Sequence, residues 1–437
     1  MEDKSRDSFG SRLGFIVSTI GFSVGVGTLW RFPYVCGTYG GGLYLLTYAL
    51  FMIVIGIPLF TAEVSLGMAS RQTPVKAYQK LSGKKPWGIV GLFNMLCIVM
   101  VAGYTVPVYG WVIHYIYATP MGVFKGMNSG QIAEYFGTFS SNHTLVIALI
   151  LVNCVLTMLV VKNNLQDGIE KIGKVLLPSL VVIMVAIVIM GLRLPGASDG
   201  LKFLFSLDAA NFSGESILSA LGQTFFSLGI AMAVALTFGS YQKEGDLNAL
   251  KNSTIVSCAV IFVAILAGMM IFPLTSAFGL DVQAGPGLTF IVMPNVFNAL
   301  PGGLFWGTLF YIAFFIAAFS SGIAGWQAII GFLMDQFGFG RMKAMFTTFL
   351  LVLVIGIPAT LSDTLFNFFD MITNNIFLTA GAFFMSIFVG WIWGIDNFAD
   401  TIGISKGSGM VKTLGFIIKF VAPLIIVVFS LSLFGLL

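Results

Sequence analysis

Residues 21 to 33 interrupt an apolar segment of membrane length with glycines, hydroxyls, an arginine and a proline. The sequence there is GFSVGVGTLWRFP. Backbone without helical hydrogen bonds is too costly against hydrocarbon, so at membrane depth it occurs only where protein buries it or where it lines a polar cavity. In such a cavity, freed carbonyl groups are ligands for a small cation, and freed N–H groups suit an anion. This segment therefore predicts a binding site for a transported ion or solute.

The composition places the whole chain in the membrane. Hydrophobic residues make up 57% of the 437 residues and charged residues only 9%, with a mean hydropathy of +0.97. Soluble domains have about 25% charged residues. Apolar runs of about 20 residues, long enough to cross the hydrocarbon core, recur from end to end. We therefore expect a single all-α membrane domain over 1–437, in contact with lipid and located in the cell membrane, such as a cell inner membrane.

Eleven apolar segments are long enough to be transmembrane helices. We number them segment 1 to segment 11: 13–37, 41–69, 88–118, 145–161, 172–192, 215–241, 252–278, 303–334, 344–362, 365–394 and 413–436.

The distribution of basic residues predicts the orientation of these segments. With a cytoplasmic N-terminus, all but four of the 22 Lys and Arg residues fall on the inner side. Lys125, Arg193 and Lys202 fall in outer loops, and Arg31 lies within segment 1. Cytoplasmic loops carry such an excess, so we expect the N-terminus inside and the C-terminus outside. The net charge of +4 then reflects membrane orientation and does not indicate nucleic-acid binding.

Segment 6 is interrupted as well. Gly222, Gln223, Ser227 and Gly229 place glycines and polar side chains near its middle, five segments after the first interruption. Two breaks at corresponding positions are typical of an inverted repeat with a binding site at its interface. The alternative is close helix packing, for which membrane helices also use glycine. The sequence predicts a 5+5 inverted repeat with broken helices 1 and 6, over about 13–192 and 215–394, followed by an extra helix at 413–436.

Several motifs resemble one family of transporters, the neurotransmitter:sodium symporters, in a bacterial form with eleven spans. The resemblance extends over nearly the whole chain, from Arg6 to at least Asp370. It implies sodium-driven uptake of an amino acid or a related small solute by alternating access. The motifs are Arg12-Leu13-Gly14, Gly25-x-Gly27, Trp30-Arg31-Phe32-Pro33, Gly40-Gly41-Gly42, Gly56-Ile57-Pro58 with Glu63, and Gln223-x-Phe225-Phe226-Ser227-Leu228-Gly229.

The resemblance implies one sodium site between segments 1 and 8. Its ligands would be the backbone carbonyls of Gly21, Val24 and Ala317 and the hydroxyls of Ser320 and Ser321. The three segment 8 positions are spaced i, i+3 and i+4, so they share one helix face. The alternative is that the two hydroxyls only bond back to their own helix.

A second sodium site of the family is matched less well, and it stays doubtful. Its positions correspond to Ser23, Thr28, Ser227 and Val260, and valine has no ligand oxygen. Ala264 stands where animal relatives bind chloride, and alanine has no ligand there either. We therefore expect one sodium ion and no chloride.

The expected solute site lies at the two breaks. Gly25 stands where monoamine carriers of the family have an aspartate, which argues against a monoamine. Thr105 stands where the family usually has the tyrosine that holds a carboxylate. Gly229 and Gly325 leave room for a large, hydrophobic or aromatic side chain, although the solute itself stays open. The implied solute-binding residues are Ser23, Gly25, Val26, Gly27, Val101, Tyr104, Thr105, Phe226, Ser227, Gly229, Met232, Ser321 and Gly325.

Charged residues at the two ends of the site are the expected gates. Unpaired charges in a span are costly, so such residues usually mark pathways and have partners. On the outer side, Arg31 would pair with Asp370 directly or through water, beside the ring of Phe226. On the inner side, the set would be Arg6, Asp335 and Tyr241, with the tyrosine bracing the ion pair. The alternative is two ordinary interfacial ion pairs.

The sequence thus favours a sodium-coupled secondary symporter importing an amino acid. One alternative is a transporter of another small organic solute with partial proton coupling, prompted by the weak second site and by Glu63, although a buried structural role suits Glu63 better. Another is a channel or solute sensor on the same fold. An enzyme is not expected, because no nucleophile and base cluster, metal-ligand set or phosphate loop stands out. The sequence leaves the oligomeric state open.

Overall fold

A computed structural model describes residues 8–25, 27–243, 245, 247–280 and 288–433. Over these residues the regular structure is helical, with no strand. Nine helices in the described part are long and apolar enough to cross a membrane, and one bent helix pair passes the same test. Large apolar side chains point outward from these helices, such as Val182 at 68% and Val354 at 70% exposure. A surface of this kind suits contact with lipid.

Each of the eleven apolar segments is helical over most of its length. The bent pair is segment 1, and segment 6 consists of two helices too short to pass the length test on their own. In chain order the segments are Arg12–Ser23 with Gly27–Thr38, Gly41–Ser70, Lys85–Ala118, His143–Val161, Gln166–Gly191, Gly214–Leu228 with Val234–Ser240, Ala249–Ala277, Gly303–Phe337, Arg341–Leu361, Asp363–Ile402 and Gly409–Ser432.

In the described part of the chain, four shorter helices lie between these segments. The sequence did not predict them, because their apolar residues do not form a run of membrane length. Segment 10 also continues eight residues past its predicted end, beyond Gly394, where φ is +91°. The four helices are Pro74–Ser82, Ser129–Ser141, Ala197–Phe205 and Leu288–Ala299.

Glycines bring segment 2 and the second helix of segment 6 into backbone contact. A β-carbon placed on Gly67 would lie 1.9 Å from the carbonyl oxygen of Leu236. One placed on Gly239 would lie 2.3 Å from that of Val64. Since any side chain at either position would collide with backbone, these two helices form one closely packed unit. This unit supports one side of the segment 6 break.

The start of segment 1 is fastened to segment 5. The carboxylate of Glu170 accepts hydrogen bonds from the Gly10 N–H at 2.8 Å and from the Ser11 hydroxyl at 3.0 Å. Lys174 lies 2.7 Å from the same carboxylate and balances its charge. A β-carbon on Gly14 would lie 2.0 Å from the Glu170 side chain. The first helix of segment 1 is thereby held against segment 5 at one end, and its other end leads to the break.

Candidate functional site

The helix of segment 1 stops where the sequence predicted a break. Regular helix ends at Ser23, and the Val24 N–H donates to the Ile20 carbonyl at 2.8 Å. After Val26, which lies outside the described residues, a π-helical turn spans Gly27–Arg31. The two helices of the segment differ in direction by 46°. Residues 21–25 and 27–30 are buried, so the irregular backbone lies inside the bundle, as a binding site requires.

Segment 6 breaks over residues 229–233. Its first helix ends at Leu228, and Gly229, Ala231 and Ala233 all have φ between +62° and +64°. Positive φ is unfavourable for alanine, so the surrounding structure must hold these two residues in place. Segment 2 supplies one restraint, because the carboxylate of Glu63 accepts the Ala231 N–H at 3.0 Å. Glu63 is fully buried, which agrees with the structural role favoured by the sequence.

One side chain links the two breaks. The Gln223 amide nitrogen donates to the Gly27 carbonyl at 2.7 Å and to the Ser227 hydroxyl at 2.9 Å. Its amide oxygen accepts from the Arg31 guanidinium at 2.6 Å. Gln223 thus ties the start of the second helix of segment 1 to the first helix of segment 6. It also connects the predicted outer gate with the predicted solute site.

The predicted sodium ligands of segments 1 and 8 lie close together. A β-carbon on Gly21 would lie 3.4 Å from the Ser320 β-carbon and 3.8 Å from its hydroxyl oxygen. The Ser320 hydroxyl itself donates to the carbonyls of Ile316 and Ala317, at 2.8 and 3.0 Å. This is the back-bonding that the sequence left as an alternative. It uses the hydroxyl proton and leaves the oxygen lone pairs able to face a cation. Val24 is fully buried on the segment 1 side.

Two of the residues at the doubtful second site make separate hydrogen bonds. The Thr28 hydroxyl donates to the Ser23 carbonyl at 2.9 Å, while the hydroxyl oxygen of Ser227 is used by Gln223. Val260 is fully buried and apolar. The Ser23 hydroxyl is buried without a hydrogen-bond partner. The set of oxygens that a second cation would need therefore lacks a ligand at Val260, and the Ser227 oxygen already accepts one hydrogen bond.

The predicted solute residues meet across the two breaks and segment 8. A β-carbon on Gly25 would lie 2.3 Å from the Ser321 β-carbon, and one on Gly27 would lie 2.7 Å from the Phe226 ring. The space beside Gly229 is filled, since a β-carbon there would lie 2.1 Å from the Phe22 ring. The room expected at Gly229 therefore opens only if that ring turns.

The segment 3 residues of the predicted site make contacts within their own segment and with segment 10. The Thr105 hydroxyl donates to the Val101 carbonyl at 2.6 Å. The Tyr104 hydroxyl lies 3.5 Å from the Asn374 amide of segment 10. Sequence reasoning missed Tyr109, whose hydroxyl would lie 3.1 Å from a β-carbon on Gly322, next to the proposed ligands. An aromatic residue shortly after Thr105 was the available signal.

The remaining solute positions lie on the apolar side of the site. A β-carbon on Gly325 would lie 3.2 Å from the Ile98 side chain of segment 3. Met232 is 2% exposed within the segment 6 break. These positions are therefore buried and have apolar neighbours.

The outer gate differs in its direct contacts from the predicted pair. Arg31 binds Gln223, and its guanidinium carbon lies 5.4 Å from the centre of the Phe226 ring. The Asp370 carboxylate accepts from the Asn374 amide at 2.8 Å. Among the described residues, Arg31 and Asp370 form no direct ion pair. A cavity of ≈ 260 Å³ lies against Arg31 and Asn374. The pairing through water therefore stays a prediction.

The predicted inner gate is only partly described, because Arg6 lies outside the described residues. The Asp335 carboxylate accepts the Thr73 N–H at 3.0 Å, and the Lys76 ammonium group donates to the Asp335 carbonyl. The Tyr241 carbonyl accepts the Phe9 N–H at 3.0 Å. At this end of the bundle, the residues before segment 1 thus contact the end of segment 6, and the residues after segment 2 contact the end of segment 8.

Comparison with known proteins gives matches along the whole chain. The family model described as "Sodium:neurotransmitter symporter family" matches residues 6–124 and 131–435. An uncharacterized sodium-dependent transporter of Bacillus subtilis (strain 168) is 31% identical over 454 residues, covering 100% of both chains. A sodium-dependent dopamine transporter of Bos taurus is 25% identical, covering 99% of this chain and 70% of its own length.

A solved structure has the same fold. The crystal structure of MhsT in complex with L-phenylalanine matches with a TM-score of 0.91 and 31% identity, covering 98% of this chain and 100% of that chain. The described helices, the matched family model and these relatives agree in class. The chain is a multi-pass membrane transporter that belongs to the sodium:neurotransmitter symporter family.

Proposed function

We propose that this protein is a sodium-coupled symporter that imports an amino acid with a large apolar or aromatic side chain. The observation that carries the proposal is the approach of Gly21 at the segment 1 break to Ser320 of segment 8. Two carbonyls of the break, one carbonyl of segment 8 and two hydroxyls make a neutral set of five oxygens. Oxygen ligands of this kind suit a small, hard cation.

Coupling follows from the position of this ion. Sodium bound by Gly21, Val24, Ala317, Ser320 and Ser321 would tie the break in segment 1 to segment 8. The solute would lie against the same elements, with Gly25 and Ser321 in contact. Each ligand then stabilises the arrangement that the other binds, and their affinities are linked reciprocally. A single sodium ion is part of the proposal, because Val260 offers no oxygen and the Ser227 hydroxyl oxygen already accepts a hydrogen bond from Gln223.

The solute class rests on the walls of the site. Phe22, Met232 and Ile98 supply apolar surface, and Gly25 carries no acidic group for a monoamine. Backbone N–H groups at the two breaks suit a carboxylate. MhsT, which has the same fold, was crystallised with L-phenylalanine. L-Phenylalanine is therefore the first solute to test.

The membrane arrangement is part of the same proposal. Eleven crossings would form two inverted five-helix repeats, about 13–192 and 215–394, with 413–436 as an additional helix. The N-terminus would be cytoplasmic, because basic residues concentrate on that side. The end of the bundle with Arg12, Asp335 and Tyr241 is then the cytoplasmic end, and the end with Arg31 and Asp370 faces outward.

Uptake by purified protein in vesicles tests the proposal. An inward sodium gradient should drive accumulation of L-phenylalanine above its outside concentration, with a Hill coefficient for sodium near one. Uptake that is indifferent to sodium would refute the proposal. Uptake driven by a pH gradient without sodium would favour proton coupling, and mere equilibration would favour a channel or sensor.

A variant pair tests the ion site. The double substitution Ser320→Ala and Ser321→Ala should raise the half-saturating sodium concentration at least about tenfold, because each lost ligand oxygen weakens binding by about 1 kcal/mol or more. Ser430→Ala is the matched control, since the Ser430 hydroxyl bonds back to its own helix at 2.8 Å in segment 11, as Ser320 does in segment 8. Equal sodium dependence in both variants would show that the ion is elsewhere.

A further inference from the structure

A second cavity lies at the opposite end of segment 1 from the break. It has a volume of ≈ 340 Å³, and its lining includes Ser11, Arg12, Gln242, Lys243 and Asn248. It therefore lies between the start of segment 1 and the loop that follows segment 6. We propose that this cavity binds an oxyanion, a carboxylate or phosphate group.

The charge of the cavity wall favours an anion. The Arg12 guanidinium donates from Nε to the Asn252 side chain at 2.7 Å, while its Nη2 is buried without a hydrogen-bond partner. Lys243 adds a second cation and is exposed at the same wall. A guanidinium with a spare nitrogen is suited to the planar oxygens of a carboxylate or phosphate. An oxyanion would satisfy the nitrogen that Asn252 leaves free.

Gln242 gives an independent indication of a ligand. It is 2% exposed, and both its amide nitrogen and its amide oxygen lack a hydrogen-bond partner. Buried amides are nearly always hydrogen-bonded, so two unpaired atoms on one side chain at a cavity wall call for a partner. The amide nitrogen is able to donate to an anion, and the amide oxygen is able to accept from a water or from a protonated phosphate oxygen.

The start of the segment 1 helix adds positive potential to this cavity. Segment 1 begins at Arg12, and the Ser11 hydroxyl accepts the Gly14 N–H at 3.0 Å. The remaining N–H groups of the first turn carry the positive end of the helix dipole. Glu170 lies on the other side of Ser11, and Lys174 balances its charge. The cavity thus combines the helix start, two cations and an unpaired buried amide.

The site would act on the inner gate, a consequence that rests on the proposed function. The segment before Arg12 already contacts the end of segment 6, through the Phe9 N–H and the Tyr241 carbonyl. The rings of Phe9 and Phe238 also pack edge to face at 5.5 Å. An anion held by Arg12 and Gln242 would add a polar bridge between the start of segment 1 and the end of segment 6. It would stabilise the arrangement in which they stay together.

Two sources of the anion share this chemistry. One is the phosphate of an anionic lipid headgroup in the cytoplasmic leaflet, and the other is a soluble phosphate or carboxylate. The binding test uses inorganic phosphate and the full chain in detergent, in potassium salts at constant ionic strength, without sodium or solute. Because neither transported species is present, the result is independent of the proposed function.

The midpoint of thermal unfolding should rise with potassium phosphate relative to potassium chloride, as expected for a ligand that binds the folded state. Arg12→Gln should raise the half-saturating phosphate concentration at least about tenfold, which corresponds to one lost charge-assisted contact. Lys243→Gln should raise the half-saturating phosphate concentration about threefold. This substitution leaves the Arg12–Asn252 hydrogen bond in place, so it does not disturb folding through that contact. Lys84→Gln removes an exposed lysine from the same end of the protein and is the matched control.

The outcomes separate the proposal from its rivals. The proposal would be overturned if phosphate did not raise the thermal midpoint of the parent chain. It would also be overturned if Arg12→Gln and Lys243→Gln showed the same half-saturating phosphate concentration as the parent chain. Glu244 and Asp246 lie outside the described residues, and their neutralisation to Gln and Asn should leave phosphate binding equal or stronger; weaker binding would also count against an anion site.

Repeating the phosphate test in lipid nanodiscs identifies the source of the anion. In phosphatidylglycerol nanodiscs, loss of the phosphate effect in the parent chain would assign the site to a lipid headgroup. Its persistence there and in phosphatidylcholine nanodiscs would assign the site to a soluble anion.

Discussion

Substitution of Gly229 by alanine tests how the segment 6 break is packed. A β-carbon at this position would lie 2.1 Å from Cε1 of the Phe22 ring and 2.5 Å from its Cζ. Carbon atoms in contact lie about 3.5–4.0 Å apart, so the ring would have to move by more than about 1 Å. Overpacking of this kind costs about 1–3 kcal/mol. The φ of +64° adds about 1–2 kcal/mol of backbone strain for any residue with a β-carbon.

Gly83 separates these two costs. Its φ is +66°, close to that of Gly229, but no atom lies within 4 Å of a β-carbon placed there. Gly83→Ala therefore carries only the strain of about 1–2 kcal/mol, whereas Gly229→Ala carries about 2–5 kcal/mol. The measurement is the thermal midpoint of each variant in detergent without ligand. We expect the fall for Gly229→Ala to be at least about 1.5 times that for Gly83→Ala.

A double-mutant cycle identifies the colliding partner. Phe22→Leu removes the ring, so Gly229→Ala should cost about 1–3 kcal/mol less in that background than in the parent chain. If both variants lower the midpoint equally, or if the cost of Gly229→Ala is unchanged when Phe22 is replaced, then the ring does not fill this space and the packing argument fails.

Three further substitutions have expected outcomes. Gln223→Leu removes the acceptor of Arg31, a charge-assisted contact of about 1.5–3 kcal/mol, so the KM for solute uptake should rise about tenfold or more, and an unchanged KM would argue against Gln223 as the link. Glu63→Gln keeps an acceptor for the Ala231 N–H and should change the sodium-dependent thermal shift less than about threefold. Glu63→Leu removes the acceptor and should abolish this shift. Equal effects of the two substitutions would show that the charge of Glu63 matters more than its hydrogen bond. Glu170→Ala releases the start of segment 1, so a cysteine introduced in that helix should react faster with a water-soluble thiol reagent from the cytoplasmic side, and an unchanged rate would exclude the fastening role.

The sequence was sufficient for the helical class, the positions of the segments and both breaks. Apolar length identifies a membrane helix with little competition from other signals. Glycine and proline in such a run indicate a break, as at Gly25, Gly27 and Gly229. The short helix Ser129–Ser141 was missed because an amphipathic surface helix has no apolar run of membrane length, and its capping residue, Asn128, is a weak signal within a polar loop.

The contacts of individual side chains were harder to predict. Opposite charge predicted Arg31 with Asp370, directly or through water; the direct contacts that the structure gives are Arg31 with the amide of Gln223 and Asp370 with the amide of Asn374. Charge pairing is a poor guide where buried amides compete for the same groups, since a hydrogen bond from a charged donor to a neutral acceptor avoids burying a second charge. Small residues likewise predicted open space at Gly229, although a neighbouring ring fills it.

The two breaks share a rule that spacing alone does not reveal. A helix interrupted inside a membrane protein leaves carbonyls unpaired at the end of its first half and N–H groups unpaired at the start of its second half, and polar side chains of other segments can serve these regions. Beside the segment 1 break, the Gly27 carbonyl accepts a hydrogen bond from an amide donor, Gln223. At the segment 6 break, the Ala231 N–H donates to a carboxylate acceptor, Glu63. The sequence predicts that such partners exist, because polar side chains in apolar segments are rare and must be satisfied. Only the folded chain decides which polar residue faces which break, because that depends on helix rotation and not on distance along the sequence.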